Sequence, residues 1–182
     1  LYTENGASAI SVLTDTEFFG GTFNDFAQAR KLTNLPLLRK DFMVDEYQIY
    51  QAKAMQANVV LLIASALTIA ETKEFARKAK ELGLEVLLEI HNEKELDHIN
   101  EYIDVVGVNN RNLNTFVTDV QVSFDLCNKI PDEFVKISES GISHPQTVTD
   151  LRNAGYKGFL MGENFMKTND PGKALFDFIQ EL

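Results

Sequence analysis

The sequence predicts an α/β fold of parallel strands alternating with helices, and three features of the chain lead to this prediction. Seven short apolar runs recur, and their starts fall 21 to 29 residues apart. Polar or ionisable residues immediately follow six of these seven runs. Most stretches between the runs have the apolar spacing of an amphipathic helix, namely 23–32, 46–55, 68–82, 119–129 and 145–154.

The predicted strands are the apolar runs themselves, at 9–13, 35–38, 59–63, 84–88, 105–108, 134–137 and 158–161. Signals for helix starts and ends agree with this division. Thr68 followed by Glu71 is a capping box, and Gly83 and Gly155 stand where two helices should end. Strands joined by helices must lie parallel, which leaves a barrel or an open doubly wound sheet. Polar residues at nearly every strand end favour the barrel, in which all strand ends face one mouth.

Seven strands are one fewer than a (βα)8 barrel normally has. The chain begins at Leu1 rather than Met, and too few residues precede Gly6 to complete a helix before it. We therefore expect a single TIM-barrel domain over residues 1–182 that lacks its first strand and most of its first helix. The two unpaired strand edges of such a barrel would favour association with another chain.

Composition limits the classes of function. A formal net charge of -10 argues against nucleic acid or an anionic membrane as a partner, because the long-range electrostatic force would be repulsive. The longest apolar run, 59–67, is about half the length that a membrane-spanning helix needs. Cys127 is the only cysteine, so we expect a reducing, cytoplasmic location. The three histidines lack ligand spacing, so a metal site is not expected.

The segment Leu38-Arg39-Lys40-Asp41-Phe42 joins an apolar run to two cations, an acid and an aromatic residue. We interpret Lys40 as a candidate catalytic residue, and the alternative is a solvated turn after the strand. Glu89 follows another apolar run and is a candidate acid or base. In a barrel, Lys40 and Glu89 would face the same mouth as Asn109 and Glu139, so these groups could converge on one substrate.

Two glycine-containing loops follow the last two predicted strands. Ser140-Gly141 follows one of them, and Gly162-Glu163 follows the other and opens a short helical stretch, 163–166. Glycine lets a phosphate approach backbone N–H groups, and barrels commonly bind phosphate at this pair of loops. The alternative is that each glycine marks an ordinary turn.

As a set, these segments and several others resemble the indole-3-glycerol phosphate synthase family over essentially the whole chain. The matching segments are 7–14, 19–21, 38–42, 45–49, 61–63, 89–91, 109–113, 138–142 and 161–163. The resemblance implies a phosphate-binding (βα)8 barrel of tryptophan biosynthesis, usually monomeric. It also implies a carboxy-lyase that converts 1-(2-carboxyphenylamino)-1-deoxyribulose 5-phosphate to indole-3-glycerol phosphate, with loss of CO2 and water and without a cofactor.

The resemblance also implies a role for each matching residue. Lys40 would be the general acid of ring closure, and Glu89 the base that helps to remove water. Asn109 and Glu139 would orient substrate hydroxyls and catalytic lysines, and Arg111 would fix its loop or screen the mouth. The remaining matches are an apolar wall for the anthranilate ring, Phe19, Phe42 and Leu61, and the phosphate loops, Ser140, Gly141, Gly162 and Glu163.

Two alternatives remain open. The family has a Glu-x-Lys and a Ser-Pro-Ser segment on and after its first strand, and the residues of that strand are absent from this chain, so the chain could be a catalytically impaired phosphate-binding fragment. A phosphoribosylanthranilate isomerase type of barrel would need a Cys or Asp pair as acid and base, yet Cys127 lies on a predicted helix. The expected partner is a small phosphorylated substrate.

Overall fold

The structure is a computed structural model that describes residues 1–113 and 115–182. Its strands are Ile10–Leu13 (β1), Leu37–Lys40 (β2), Val59–Ile63 (β3), Glu85–Ile90 (β4), Val105–Asn109 (β5), Val135–Glu139 (β6) and Gly158–Leu160 (β7). Its α-helices are Phe23–Leu32 (α1), Tyr47–Ala54 (α2), Ile69–Glu81 (α3), Gln121–Cys127 (α4), Pro145–Ala154 (α5), Glu163–Met166 (α6) and Pro171–Gln180 (α7). Short 3-10 helices cover Thr3–Asn5, Ala64–Ala66 and Glu93–His98.

The chain divides into two compact units. The N-terminal unit comprises Ser8–Glu89 and Asp97–Asp104, and the C-terminal unit comprises Leu1–Ala7, Ile90–Leu96 and Val105–Leu182. In the N-terminal unit β1, β2, β3 and β4 pair in that order, all parallel. In the C-terminal unit β5, β6 and β7 pair in the same way. The expectation of one domain over the whole chain stays a prediction.

Helix ends in the N-terminal unit follow the local sequence signals. The predicted capping box of α3 is confirmed, because the Thr68 hydroxyl accepts from the Glu71 N–H and the Glu71 carboxylate accepts from the Thr68 N–H at 2.8 Å. Gly83 follows α3 with φ +70°, a left-handed conformation that glycine adopts without strain. Strands β2, β3 and β4 are largely buried, whereas β1 is only partly buried. Fully buried side chains include Phe26, Leu37, Ile49, Leu62 and Leu88.

In the C-terminal unit, α5 starts with Pro145 and ends at Gly155, whose φ of +126° confirms the predicted stop. Val106, Val148 and Leu151 are fully buried between the strands and helices. The sequence patterns did not predict α7, which begins after Asp170 at a cap where the Asp170 carboxylate accepts from the Lys173 N–H. In the described part of the chain, no helix is long and apolar enough to cross a membrane.

The predicted ends of several strands were wrong by one or two residues. Lys40, Glu89, Asn109 and Glu139 are the last or nearly last residues of strands, not residues that follow them. Strand pairing uses backbone groups, so it continues where the side chains become polar. The register of β2, for example, extends to Lys40, which lies opposite Leu13.

Candidate active site

Lys40 and Glu89 form an ion pair in the N-terminal unit. Their strands, β2 and β4, flank β3, and the Lys40 Nζ lies 3.3 Å from the Glu89 Oε2. The Glu89 side chain is 2% exposed, and that of Lys40 is 16% exposed. An ammonium and a carboxylate this close, with the ammonium partly open to solvent, could serve as proton donor and proton acceptor for one substrate.

An aromatic surface lies beside this pair. The Phe19 and Phe42 rings are stacked with centroids 4.8 Å apart and planes 8° apart. The Lys40 Nζ lies 5.7 Å from the Phe19 centroid, within cation–π range. Leu61 shares a strand face with Ile63, the register partner of Glu89, but Leu61 itself is fully buried. A flat apolar surface next to an ammonium suits an aromatic ring that carries negative charge.

The loop that carries Phe19 is held by Asp15. One Asp15 carboxylate oxygen accepts from the N–H groups of Phe18 and Phe19, at 2.6 and 3.2 Å. The Gly21 N–H closes the loop on the Asp15 carbonyl at 2.8 Å. A Cβ at Gly21 would lie 2.2 Å from the Leu13 carbonyl oxygen, so only glycine lets the backbone of the loop pass this close to the last residue of β1.

The residues on either side of Lys40 are buried. Arg39 is 1% exposed, Asp41 is 6% exposed, and the Arg39 NH2 donates to the Asp41 Oδ2 at 2.8 Å. The alternative of a solvated turn is therefore wrong. The sequence did not identify Thr14 and Gln48 as partners of Arg39, because both come from other elements of the fold.

Asn109 and Glu139 lie side by side in the C-terminal unit. They are register partners on β5 and β6, and both are buried. The Asn109 Oδ1 accepts from the Arg111 N–H at 3.0 Å, which fixes the start of the following loop. The Arg111 guanidinium reaches Glu163 on α6, with NH2 2.9 Å from Oε2. Hydrogen bonds from Lys167 and then Arg111 hold the pKa of Glu163 below its usual value.

The two predicted phosphate loops both lie in the C-terminal unit. Ser140 and Gly141 follow β6 with φ values of +67° and +72°. A Cβ at Gly141 would lie 2.5 Å from the Thr118 Cγ2, so the chain needs glycine there for space as well as conformation. Gly162 caps α6, and Glu163 is the first residue of that short helix. Among residues 1–113 and 115–182, no cluster of His, Cys, Asp and Glu side chains could hold a metal ion.

A buried polar network supports the Ser140 loop, and the sequence did not reveal it. The Asn110 Nδ2 donates to the Ser140 carbonyl at 3.0 Å and to the Ser138 Oγ at 3.1 Å. The Asn110 Oδ1 accepts from the Ser123 N–H and hydroxyl, and the Tyr156 hydroxyl donates to the Ser123 carbonyl. Since left-handed φ is strained for serine, these contacts stabilise a conformation that Ser140 would otherwise leave.

Comparison with solved structures concerns the fold. A crystal structure of KGPDC from Streptococcus mutans superimposes with a TM-score of 0.72 at 14% identity, over 99% of this chain and 87% of that one. At this identity the likeness bears on the fold alone. It confirms the predicted α/β class, that of the (βα)8 barrel, of which the described residues contain four parallel strands in the N-terminal unit and three in the C-terminal unit.

Comparison of sequences concerns the family. The family model for indole-3-glycerol phosphate synthase matches residues 1–178. An indole-3-glycerol phosphate synthase of Bacteroides thetaiotaomicron is 55% identical over 181 residues, covering 100% of this chain and 70% of the relative. One from Polaromonas naphthalenivorans is 42% identical and covers 99% of this chain and 69% of the relative. The chain therefore belongs to the indole-3-glycerol phosphate synthase family.

Proposed function

We propose that this chain forms indole-3-glycerol phosphate from 1-(2-carboxyphenylamino)-1-deoxyribulose 5-phosphate as a carboxy-lyase, with Lys40 and Glu89 as its acid and base. Family membership supports an enzyme of this kind. The observation that carries the assignment of roles is the 3.3 Å contact between the Lys40 ammonium and the Glu89 carboxylate. Proton transfer by positioned groups of this type is a common source of rate enhancement.

The reaction needs a proton donor first and a proton acceptor later. Ring closure joins the aromatic carbon that bears the carboxylate to the carbonyl carbon of the sugar chain, and the carbonyl oxygen takes a proton. Lys40 supplies that proton from Nζ. Release of CO2 then returns its bonding electrons to the ring. The new hydroxyl then leaves as water: it takes a proton from solvent, its C–O bond breaks, and Glu89 accepts the proton that the neighbouring ring carbon loses as the double bond forms.

The other site residues bind and orient the substrate in this proposal. Phe19 and Phe42 pack against the anthranilate ring, and Leu61 supports the strand face beneath. The carboxamide of Asn109 and the carboxylate of Glu139, adjacent on β5 and β6, orient substrate hydroxyls. Backbone N–H groups at the two glycine loops receive the phosphate, while Arg111 fixes the loop after β5. The loop residues are Ser140, Gly141, Gly162 and Glu163.

Turnover of two variants tests this assignment. We expect Lys40→Met and Glu89→Gln each to lower kcat by about 10²- to 10⁴-fold, because each removes one proton-transfer group. Lys31→Met is the matched control, since it removes an exposed lysine from α1 of the same unit. Circular dichroism would establish that each variant is folded. Rates within a few fold of the parent in both site variants would contradict the proposal.

We also propose that the enzyme acts in the cytoplasm. The lone cysteine, Cys127, is a buried free thiol, which suits a reducing compartment. Fractionation of cells that produce the tagged protein tests the location, and recovery from a secreted fraction would contradict it.

A further inference from the structure

We infer that Thr14, Arg39 and Asp41 form a positioning clamp that aims Lys40 at Glu89 without contacting the substrate. The inference rests on the proposed role of Lys40 for its catalytic consequence. The clamp itself is argued from contacts within the N-terminal unit. We use the name clamp for these three residues only.

The three side chains form a closed set of hydrogen bonds. The Thr14 hydroxyl donates to the Asp41 Oδ2 at 2.7 Å and accepts from the Arg39 Nε at 3.1 Å. The Arg39 NH2 donates to the same Asp41 oxygen at 2.8 Å. In addition, the Thr14 N–H donates to the Lys40 carbonyl at 3.1 Å. Thr14 therefore holds Lys40 through its backbone and both neighbours of Lys40 through its hydroxyl.

The clamp lies on the helix side of β2, opposite Lys40. Successive side chains of a strand project to opposite faces, so Arg39 projects away from the face that carries Lys40. The Arg39 NH1 donates to the Gln48 carbonyl on α2 at 2.8 Å. The Gln48 side chain in turn donates to the Phe42 carbonyl at 2.9 Å. The backbone carbonyl of Lys40 is thus held by the residue that follows β1, and the carbonyl of Phe42 is held by α2.

Burial favours a positioning role over a purely stabilising one. Arg39 is 1% exposed, Thr14 is 5% exposed and Asp41 is 6% exposed. A buried ion pair often stabilises a fold no better than apolar side chains of the same volume, because both charges lose their hydration. The Arg39–Asp41 pair instead fixes the orientation of the backbone around Lys40, since its hydrogen bonds have a defined geometry. Lys40 has a long flexible side chain, so the position of its Nζ depends on how firmly its backbone is held.

Paired substitutions at Thr14 test the clamp by kinetics. Thr14→Val keeps the shape of the side chain but removes the hydroxyl, and Thr14→Ser keeps the hydroxyl. We expect kcat to fall by about 10- to 100-fold in Thr14→Val with KM nearly unchanged, and to recover in Thr14→Ser. Thr72→Val is the matched control, because Thr72 is another fully buried threonine of this unit whose hydroxyl bonds to His98, not to the clamp.

An NMR measurement tests the clamp independently of turnover. Lysines would be dimethylated with ¹³C-formaldehyde, and the Lys40 signal assigned from its loss in Lys40→Arg. Glu89→Gln gives the position of that signal when the carboxylate partner is gone. We expect Thr14→Val to move the Lys40 signal towards that position, and Thr72→Val to leave it in place.

The two measurements separate failure of the clamp from failure of the proposed function. Full turnover in Lys40→Met would refute the catalytic role of Lys40, and the NMR signal alone would then decide whether the clamp positions it. A Lys40 signal that stays at the parental position in folded Thr14→Val overturns the clamp. An effect of Thr14→Val on KM alone, or a loss of kcat that Thr14→Ser does not restore, also overturns it.

Discussion

Glu163 places a carboxylate at the loop where we propose that the substrate phosphate binds. The carboxylate faces two cations, with Lys167 Nζ 2.5 Å from one oxygen and Arg111 NH2 2.9 Å from the other. All three side chains are more than two-fifths exposed, so these pairs add little to stability and can exchange partners easily. The negative charge of Glu163 therefore repels an incoming phosphate. The ion pair with Glu163 also keeps the Arg111 guanidinium from binding that phosphate.

Removal of this charge should strengthen binding of anions. We expect Glu163→Gln to lower the dissociation constant for inorganic phosphate by about threefold, the effect of one unit charge several ångströms away in a water-like medium. Titration calorimetry at low salt would measure it. Glu133→Gln is the control, because it removes an exposed carboxylate near the opposite end of β6. An equal gain in both variants would mean that only net charge matters.

At the scale of single residues, the sequence identified the charged side chains at the ends of apolar runs. It did not identify the residues whose hydrogen bonds fix the position of those charged residues. Lys40 and Glu89 could be predicted because each charged residue comes at the end of an apolar run, and the structure brings the two side chains together. Thr14 contacts Arg39 across 25 residues of sequence, and no local pattern marks that pairing. The roles of the individual site residues stay predictions.

At the scale of elements, Tyr156 ties the α5–β7 connection to α4. Its hydroxyl donates to the Ser123 carbonyl at 2.7 Å, and the side chain is 1% exposed. Burial raises the pKa of the Tyr156 phenol well above its usual value of 10.0. The folded chain therefore favours the neutral phenol more strongly than the unfolded chain does.

This difference predicts a loss of stability at alkaline pH. The contribution of Tyr156 is fully present below about pH 10 and is lost progressively as pH rises above that value, since only the unfolded chain then releases the phenolic proton readily. We expect Tyr156→Phe to lower the free energy of unfolding by about 1 kcal/mol at pH 8, through the lost hydrogen bond. The difference from the parent should shrink by pH 11.

Urea unfolding at pH 8, 10 and 11 would measure this effect. Tyr102→Phe is the control, because Tyr102 lies in the N-terminal unit and is only partly buried. A Tyr156→Phe deficit that stays constant across the three pH values would contradict the assignment to Tyr156 ionisation.

Elements with local signals were predicted well. The bounds of α1, α5 and α6 match the prediction, and the capping box and glycine stops of α3 and α5 are confirmed. Strand ends were less predictable, because hydrophobicity ends before backbone pairing does. The αL conformation of Ser140 was not predictable either, since the contact that supports it comes from Asn110, which follows β5 and lies 30 residues away in the sequence.

At the scale of the whole molecule, acidic residues outnumber basic ones, as the composition shows directly. The net charge is -10 at pH 7, yet several carboxylates are paired with cations or hydrogen-bond donors. Glutamates whose pKa lies below its usual value include Glu71, Glu81, Glu95, Glu101 and Glu163. Mild acid therefore has two opposing effects, because it reduces repulsion between like charges and it also removes these favourable contacts.

Among these five glutamates, Glu95 should contribute most to the acid sensitivity of the fold, because its carboxylate is the most buried of them. Burial works to raise its pKa, but hydrogen bonds from the His91 side chain and N–H lower it overall. A carboxylate with a lowered pKa contributes stability above about pH 4.5, and that contribution is lost as pH falls through the folded-state pKa. We therefore expect the free energy of unfolding to decline below about pH 4.5.

Glu95→Gln should change both the free energy of unfolding at pH 7 and the rate at which that free energy declines as pH falls. We expect the variant to lose about 1.5–3 kcal/mol at pH 7, the usual contribution of a hydrogen bond to a charged group, and to lose less than the parent between pH 5 and pH 3.5. Urea unfolding across that range would measure both quantities. Glu133→Gln removes an exposed charge in the same unit and should keep the parental slope. If Glu95→Gln also keeps the parental slope, acid destabilisation has a different origin, and the exposed pairs or the general charge balance would have to account for it.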